Sequence, residues 1–491
     1  MSTQEIISII RESCKKNAEN KAIVFEEREY KYKDMLEEIE SLTSKLKKEC
    51  NIDKPIGLFM KNCPEFIMGY YGLINSDIVT MLVDHSLKRE ELLVIVNSCH
   101  LDGFLLNISE VDKFELKDEF INKIVFKNYV LLYGYKGIYD SEFNKDRLNN
   151  IVSCRFSSGT TGMPKCMMYE ASNIIAAETN WKTTVKLHNK EKVMCLANYT
   201  HGLAFNTAML APLSEGAEIH LFNKLSPRQI AKYIQENNIQ VFVAFPVLYK
   251  MMSEENLKDK YNLTSLRLCV SSGAVLHSEV KIDFKKNIGI NIADLYGTAE
   301  TGLCILNQSD DYDSIGKPLN NVEIKIIDDS GKALGFNEKG QIAIKSKSMA
   351  RGYYNFPGLF EKKVTDDQYY LSGDIAVIKE NNFIYVRGRS TDFINVAGKK
   401  VDPKELEDVM LKVENVSDVV AFKKTSKTTN DEILCLGVIP KNKTLTKEYI
   451  ISYLTERVAS YKIPQKIVFL NEIPRNSSGK ILRRELTKME I

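Results

Sequence analysis

The spacing of apolar side chains changes character along the chain. Over 33–48 they recur every three to four positions among charged residues, the period of a helix with one buried face. The same period returns at 226–237, where Ser226 and Pro227 predict an N-cap followed by proline at the first helical position. Short apolar runs, Ile56 to Met60, Val241 to Phe245, Leu266 to Val270 and Ile292 to Tyr296, read as buried strands. Strands alternating with helices predict an α/β fold. From about 315 the strands become shorter and alternate, as at 322–329, 341–346 and 383–388, with Gly-rich turns between them. A small β-rich subdomain is expected there. Beyond 388–392 the pattern predicts a helix led by Asp402-Pro403, strands at 416–424 and 433–440, and a helix at 446–458. The chain therefore reads as a large N-terminal domain over 1–388, built of α/β subdomains plus the β-rich one. A small mobile α+β domain over 389–491 follows. A site at their junction suits that arrangement.

A length of 491 residues predicts two to four folding units. Hydrophobic residues at 44% and charged residues at 27% are globular values, which excludes a disordered or collagen-like chain. Lys and Arg number 67 against 65 Asp and Glu, so no electrostatic footprint for nucleic acid or an anionic membrane exists. Ten scattered Cys, with no CxxC pair, read as reduced thiols and a cytoplasmic location. The N-terminus lacks the apolar run of a signal peptide. The longest apolar run, Phe66 to Ile74, stops well short of the ~18 residues of a membrane span. No stable membrane insertion is expected.

Five segments carry candidate chemistry. At 156–165 (FSSGTTGMPK), Ser157, Ser158, Thr160 and Thr161 surround Gly159 and Gly162, and Lys165 ends the run. Glycines let the backbone approach a ligand, hydroxyls and N–H groups donate, and lysine adds charge, which makes a phosphate cradle. A plain polar turn is the alternative. A P-loop does not fit, because Cys166 follows the lysine and the flanks read as strands. At 294–302 (DLYGTAETG), Tyr296 offers a face for a base and Glu300 a hard oxygen ligand for Mg²⁺, although a turn with a surface Glu would look alike. Asp374, in 369–376, could accept from both hydroxyls of a ribose, or simply close an Asx-type turn. In 388–403, Arg389 could add a ribose or phosphate contact and Gly398 a close approach. In 476–486, Lys480 follows a Ser-Ser-Gly turn from which it could be swung into a site, or it simply opens an ordinary basic C-terminal helix.

Taken in order, these motifs resemble the adenylate-forming (AMP-binding) superfamily of acyl- and aryl-CoA synthetases, peptide-synthetase adenylation domains and luciferases. The resemblance extends through 22–42, 62–84 and 463–486 and so spans nearly the whole chain. It implies that residues 157–165 hold the ATP β- and γ-phosphates and that Tyr296 packs on adenine against Ser272, Gly273 and Ala274. It places Thr298 and Glu300 near the phosphates, Glu300 reaching Mg²⁺, and Asp374 and Arg389 on the ribose. Lys480 would bridge the substrate carboxylate and the α-phosphate, and His201 would stand beside the acyl pocket. Thr391 would be the hinge of a domain rotation, with Gly398 beside the pantetheine.

The implied activity is an AMP-forming acid–thiol ligase using ATP, Mg²⁺ and coenzyme A. Transfer to the phosphopantetheine of a separate carrier protein is the alternative acceptor. A non-catalytic ATP- or AMP-sensing module is the alternative from another class. Three positions depart from the family pattern: Ala299 where Thr or Ser is usual, Thr391 where Asp or Lys is usual, and Gln341 where Glu is common. Amino-acid-activating members keep an Asp near 205, where this chain has Phe205-Asn206. A buried ammonium without that partner would be costly, so the partner substrate is expected to be a small carboxylic acid without an α-amine, aryl or aliphatic. Phe205, Phe245, Ala274 and Leu303 are the expected pocket residues, with simple core packing as the alternative for each.

Overall fold

A computed structural model describes residues 3–114, 116–157, 164–274, 276–389, 394–396, 399–425, 432–442, 444–475 and 481–489. The chain packs as two compact units. The first comprises Met1–Tyr312, Pro318–Glu323 and Ile344–Tyr370, and the second Asp313–Lys317, Ile324–Ala343 and Leu371–Ile491.

The first unit contains two large sheets. One runs in the order Gly302–Asn307, Ile292–Thr298, Leu268–Ser271, Val241–Ala244, Lys192–Cys195, Glu218–Leu221, Lys21–Phe25, Arg28–Lys31. Its inner pairs are parallel and the two outer pairs antiparallel. Parallel strands are covered on both faces, which is why they read as unbroken apolar runs. The other runs Gly352–Tyr353, Lys165–Glu170, Ile151–Ser157, Thr80–Leu82, Ile56–Leu58, Gly103–Asn107, Tyr129–Tyr135, Phe120–Phe126. Alternation of such strands with helices is the α/β fold that the pattern predicts.

Local chemistry sets the element limits. The helix expected at 33–48 spans Tyr32–Glu49, and the Asp34 carboxylate accepts from the Lys31 N–H at 3.0 Å. The helix Pro227–Asn237 begins as expected, but the Ser226 hydroxyl makes no capping bond, so proline alone sets its start. The strand at Val241 stops at Ala244 because Phe245 caps the helix Pro246–Ser253 and Pro246 cannot extend a ladder. The run Phe66 to Ile74 lies within a wholly buried helix, Pro64–Asn75. No described helix is long and apolar enough to cross a membrane.

The β-rich part, expected within the large N-terminal domain, is a sheet ordered Val322–Ile327, Gly340–Ser346, Tyr370–Ile378, Ile384–Arg389, and most of it groups with the second unit. The second unit also holds a sheet of Val416–Thr425, Glu432–Pro440 and Lys466–Phe469 with helices Pro403–Met410 and Lys447–Thr455. Leu406, Met410, Val419, Leu436 and Ile450 build its core. Asp402 caps its first helix as read from the sequence, accepting from the Lys404 N–H at 2.9 Å.

Candidate active site

The strands Ile151–Ser157 and Lys165–Glu170 pair antiparallel, with Ser157 opposite Lys165. The segment between them therefore joins strand to strand, which excludes a P-loop. Ser158, Gly159, Thr160, Thr161 and Gly162 lie outside the described residues, and only the backbone of Ser157 is described. Asn355 fixes the exit from this loop: its Nδ2 donates to the Pro164 carbonyl at 2.8 Å, and its Oδ1 accepts from the Cys166 N–H at 2.9 Å.

The short strand Gly352–Tyr353 pairs with Met167 and Met168, which brings Tyr353 to Lys165. The Lys165 ammonium lies 5.1 Å from the Tyr353 ring centroid. The Tyr353 hydroxyl donates to Glu300 Oε1 at 2.7 Å and stands 3.5 Å from the Tyr370 hydroxyl. Burial, and then the Glu300 charge, push the Tyr353 phenol far above its ordinary pKa, so it remains a donor. Lys165 and Glu300, read separately from the sequence, thus meet at a tyrosine the sequence reading missed. Nothing in the pattern around Tyr353-Tyr354 marks it.

Glu300 sits on a tight turn after Ile292–Thr298. The ladder to Gly302–Asn307 shifts register between Tyr296 and Gly297. A Cβ at Gly297 would lie 2.1 Å from the Gly302 carbonyl oxygen, so only glycine fits. Thr298 Oγ1 is 3.0 Å from Thr301 Oγ1 and accepts from the Thr301 N–H at 3.2 Å, so this turn engages the hydroxyl. The Ala299 carbonyl accepts from the Tyr169 hydroxyl, and the Glu300 carbonyl from the Ala350 N–H. Strands Leu268–Ser271 and Ile292–Thr298 are parallel neighbours, so the turn of Gly273 and Ala274 stands beside Tyr296 at their carboxyl ends. Open α/β sheets bind ligands at such ends.

Gly273 has φ +90°, and a Cβ there would be 3.1 Å from the Phe245 ring. That ring also meets His201 edge-on, at 5.9 Å and 81°. His201 Nε2 lies 3.9 Å from Asp84 Oδ2, while Asp84 Oδ1 accepts from Asn198 Nδ2 at 3.3 Å. Burial lowers the His201 pKa, which leaves the imidazole neutral at pH 7. Asp84, the last residue of the resembling stretch 62–84, is a neighbour the sequence reading passed over. Leu303 is buried on the strand after the Glu300 turn. Phe205 is fully buried and packs edge-on against Tyr70 at 5.0 Å. Its other neighbour is Arg155, whose guanidinium lies 4.4 Å from the Phe205 ring and 4.4 Å from the Tyr169 ring. Arg155 is buried, and desolvation lowers its pKa.

In the second unit, Asp374 stands opposite Arg389 across the hairpin of Tyr370–Ile378 and Ile384–Arg389. The Asp374 N–H donates to Ser372 Oγ at 3.1 Å, and its residue is buried. Of Arg389 only the backbone is described, and Thr391, Gly398 and Lys480 lie outside the described residues. The ends of the segment carrying Lys480 are joined by a bridge between Arg475 and Ile481.

Residues 10–354 match the family of AMP-binding enzymes, and 405–480 match the AMP-binding enzyme C-terminal domain. The chain belongs to the AMP-binding enzyme family. This AMP-binding enzyme is 24% identical over 534 residues to the long-chain-fatty-acid–CoA ligase of Bacillus subtilis, covering 98% of this chain and 94% of that one. It is 23% identical to 4-coumarate–CoA ligase 1 of Solanum tuberosum over 456 residues, 88% of this chain and 83% of the ligase. Its fold superposes on ATP-bound MatB from Rhodopseudomonas palustris with a TM-score of 0.87 at 18% identity, covering 99% of each chain.

Proposed function

We propose that this AMP-binding enzyme is an AMP-forming acid–thiol ligase. It condenses a carboxylic acid lacking an α-amine with ATP, releases pyrophosphate, and passes the acyl group to the thiol of coenzyme A. One observation carries the reading: the convergence of Lys165 and Glu300 on Tyr353, at the base of the Gly- and hydroxyl-rich loop. A carboxylate attacking a phosphate brings two anions together, so catalysis rests on positioning and on cations aimed at the developing charge. In this reading Lys165 and the loop residues 157–162 hold the β- and γ-phosphates with Thr298 at their edge. Tyr296, Gly273 and Ala274 receive the adenine, and Asp374 and Arg389 the ribose. Lys480 draws the attacking carboxylate to the α-phosphate.

Among the described residues no group of three or more His, Cys, Asp or Glu could hold a metal. A single carboxylate at Glu300 suits a Mg²⁺ that enters on the triphosphate, where it would neutralise phosphate charge. His201, neutral and 3.9 Å from Asp84, lies with Phe245 and Leu303 along the acyl side. The functional division falls at 388/389, with Thr391 as hinge and Gly398 beside the pantetheine thiol.

Pyrophosphate release, measured with ATP and Mg²⁺ across benzoates, short and long fatty acids and amino acids, tests this. Turnover of one acid class that requires coenzyme A is expected. Slow release indifferent to coenzyme A would favour a carrier protein as acceptor. Absence of release with every acid would overturn the ligase reading.

A further inference from the structure

Arg155 occupies a position at which its charge goes unanswered. It is 4% exposed, its Nε has no hydrogen-bond partner, and among the described residues it forms no ion pair. The faces of Tyr169 and Phe205 lie against it, and Tyr70 stands close enough to act on its charge. Ring faces attract a cation, but they satisfy none of the N–H groups of a guanidinium. Beside it stands Asn206, wholly buried, with both Oδ1 and Nδ2 unpartnered. Asn206 opens a single π-helical turn, Asn206–Leu210, inside the helical segment that follows His201. Such turns are uncommon and cluster at functional sites.

The two side chains converge on one spot. A Cβ at Gly202 would lie 3.5 Å from Arg155 Nη1 and 3.9 Å from Asn206 Nδ2. Gly202 is only half-buried and directly follows His201. Glycine therefore keeps side-chain bulk away from the position between His201 and the buried guanidinium–amide pair. A buried cation without a counter-charge is costly, and its removal from water favours whatever anion reaches it.

We propose that Arg155 and Asn206 form the distal end of the acyl site and bind a second carboxylate of the substrate, so that the acid activated is a dicarboxylic acid. The inference rests on the ligase reading only for the position of the reacting carboxylate. One carboxylate would reach the phosphate side, and the other would lie beside Gly202. There the guanidinium fork donates to it and the Asn206 amide donates a further hydrogen bond. A cation here also repels an ammonium, in keeping with a substrate that lacks an α-amine.

The test uses the full-length enzyme and matched acids that differ only by a second carboxylate: benzoate against the phthalates, and linear monoacids against α,ω-diacids. Calorimetric titration without ATP reads binding, and pyrophosphate release reads turnover. One diacid is expected to exceed its monoacid partner at least tenfold in affinity and in kcat/KM. In Arg155→Met that ratio should fall about 10–100-fold, the loss of a charged hydrogen-bonded pair. Asn206→Leu, a milder change should the first variant not fold, should lower it about 3–10-fold. Preference for the monoacid in every pair, or an unchanged ratio in a folded variant, would overturn the inference while leaving the ligase reading intact. Diacid binding without any pyrophosphate release would overturn the ligase reading and leave the subsite standing. Neither binding nor release with any pair would count against both.

Discussion

Arg155 and Lys165 lie on paired strands flanking one loop, yet their surroundings are opposite. Lys165 is half-exposed and rests over Tyr353, whose hydroxyl is already committed to Glu300. Arg155 is sealed between two rings beside an amide with no partner. A cation near water costs little when its ligand is absent, which suits a triphosphate that arrives and leaves as pyrophosphate. A buried cation is costly until an anion reaches it, which suits selection between acids. On the proposed reading, the same hairpin presents a tolerant charge to the nucleotide and a demanding one to the acid.

The sharpest way to break this division acts on the first half-reaction. Lys480→Ala should lower adenylate formation by about 10²–10³, the usual cost of removing one preorganised group. Thioester formation from a supplied acyl-adenylate should survive, and equal loss of both steps would contradict separate sites of action. Next, Lys165→Met should lower kcat/KM for ATP about 10–100-fold, as loss of a charged hydrogen bond does. The KM for the acid should stay within about twofold, and a parallel rise in both KM values would merge the two regions. Tyr353→Phe removes one hydrogen bond to Glu300 and should cost about 1 kcal/mol of stability, read as a small fall in Tm, with a fall of at most several-fold in kcat.

The smallest effect concerns Glu178, a buried carboxylate 3.7 Å from Lys182. Burial raises its pKa to about 7. The folded protein therefore keeps a proton there that the unfolded chain has lost above about pH 4.5. That contribution to stability is present at low pH and disappears as pH rises toward 7. Glu178→Gln should narrow the gap between Tm at pH 5 and Tm at pH 8, measured by thermal denaturation, and leave acid preference alone. A shift of preference like that expected for Arg155→Met would make Glu178 the missing counter-ion.

Much of the fold was legible. Buried parallel strands announce themselves as unbroken apolar runs, and prolines 227 and 403 mark helix starts whatever their tertiary setting. The Ser226 cap was not, because a side-chain bond depends on a rotamer that tertiary contacts decide. Lys165 and Glu300 were legible as candidates inside motifs, and the fold brings both to Tyr353. Tyr353 was not, since its role arises from pairing with a strand far off in sequence. Arg155 did leave a signal: a charged residue inside the otherwise apolar stretch IVSCRF, read as a strand without asking where its charge would go. Asn206 stood in view as the missing acid of amino-acid activators, and its own hydrogen bonds went uncounted.

The hairpin register has a consequence for how the two regions are kept apart. Arg155 sits opposite Met167, held by backbone bonds that any side chain permits, and successive side chains point to opposite faces. Phe156 packs into the apolar core of one sheet while Arg155 turns toward Phe205. Position 155 and the loop base that Asn355 grips thus rest on different side-chain contacts. On the proposed reading, choice of acid and handling of the nucleotide fall at separate positions of one ribbon.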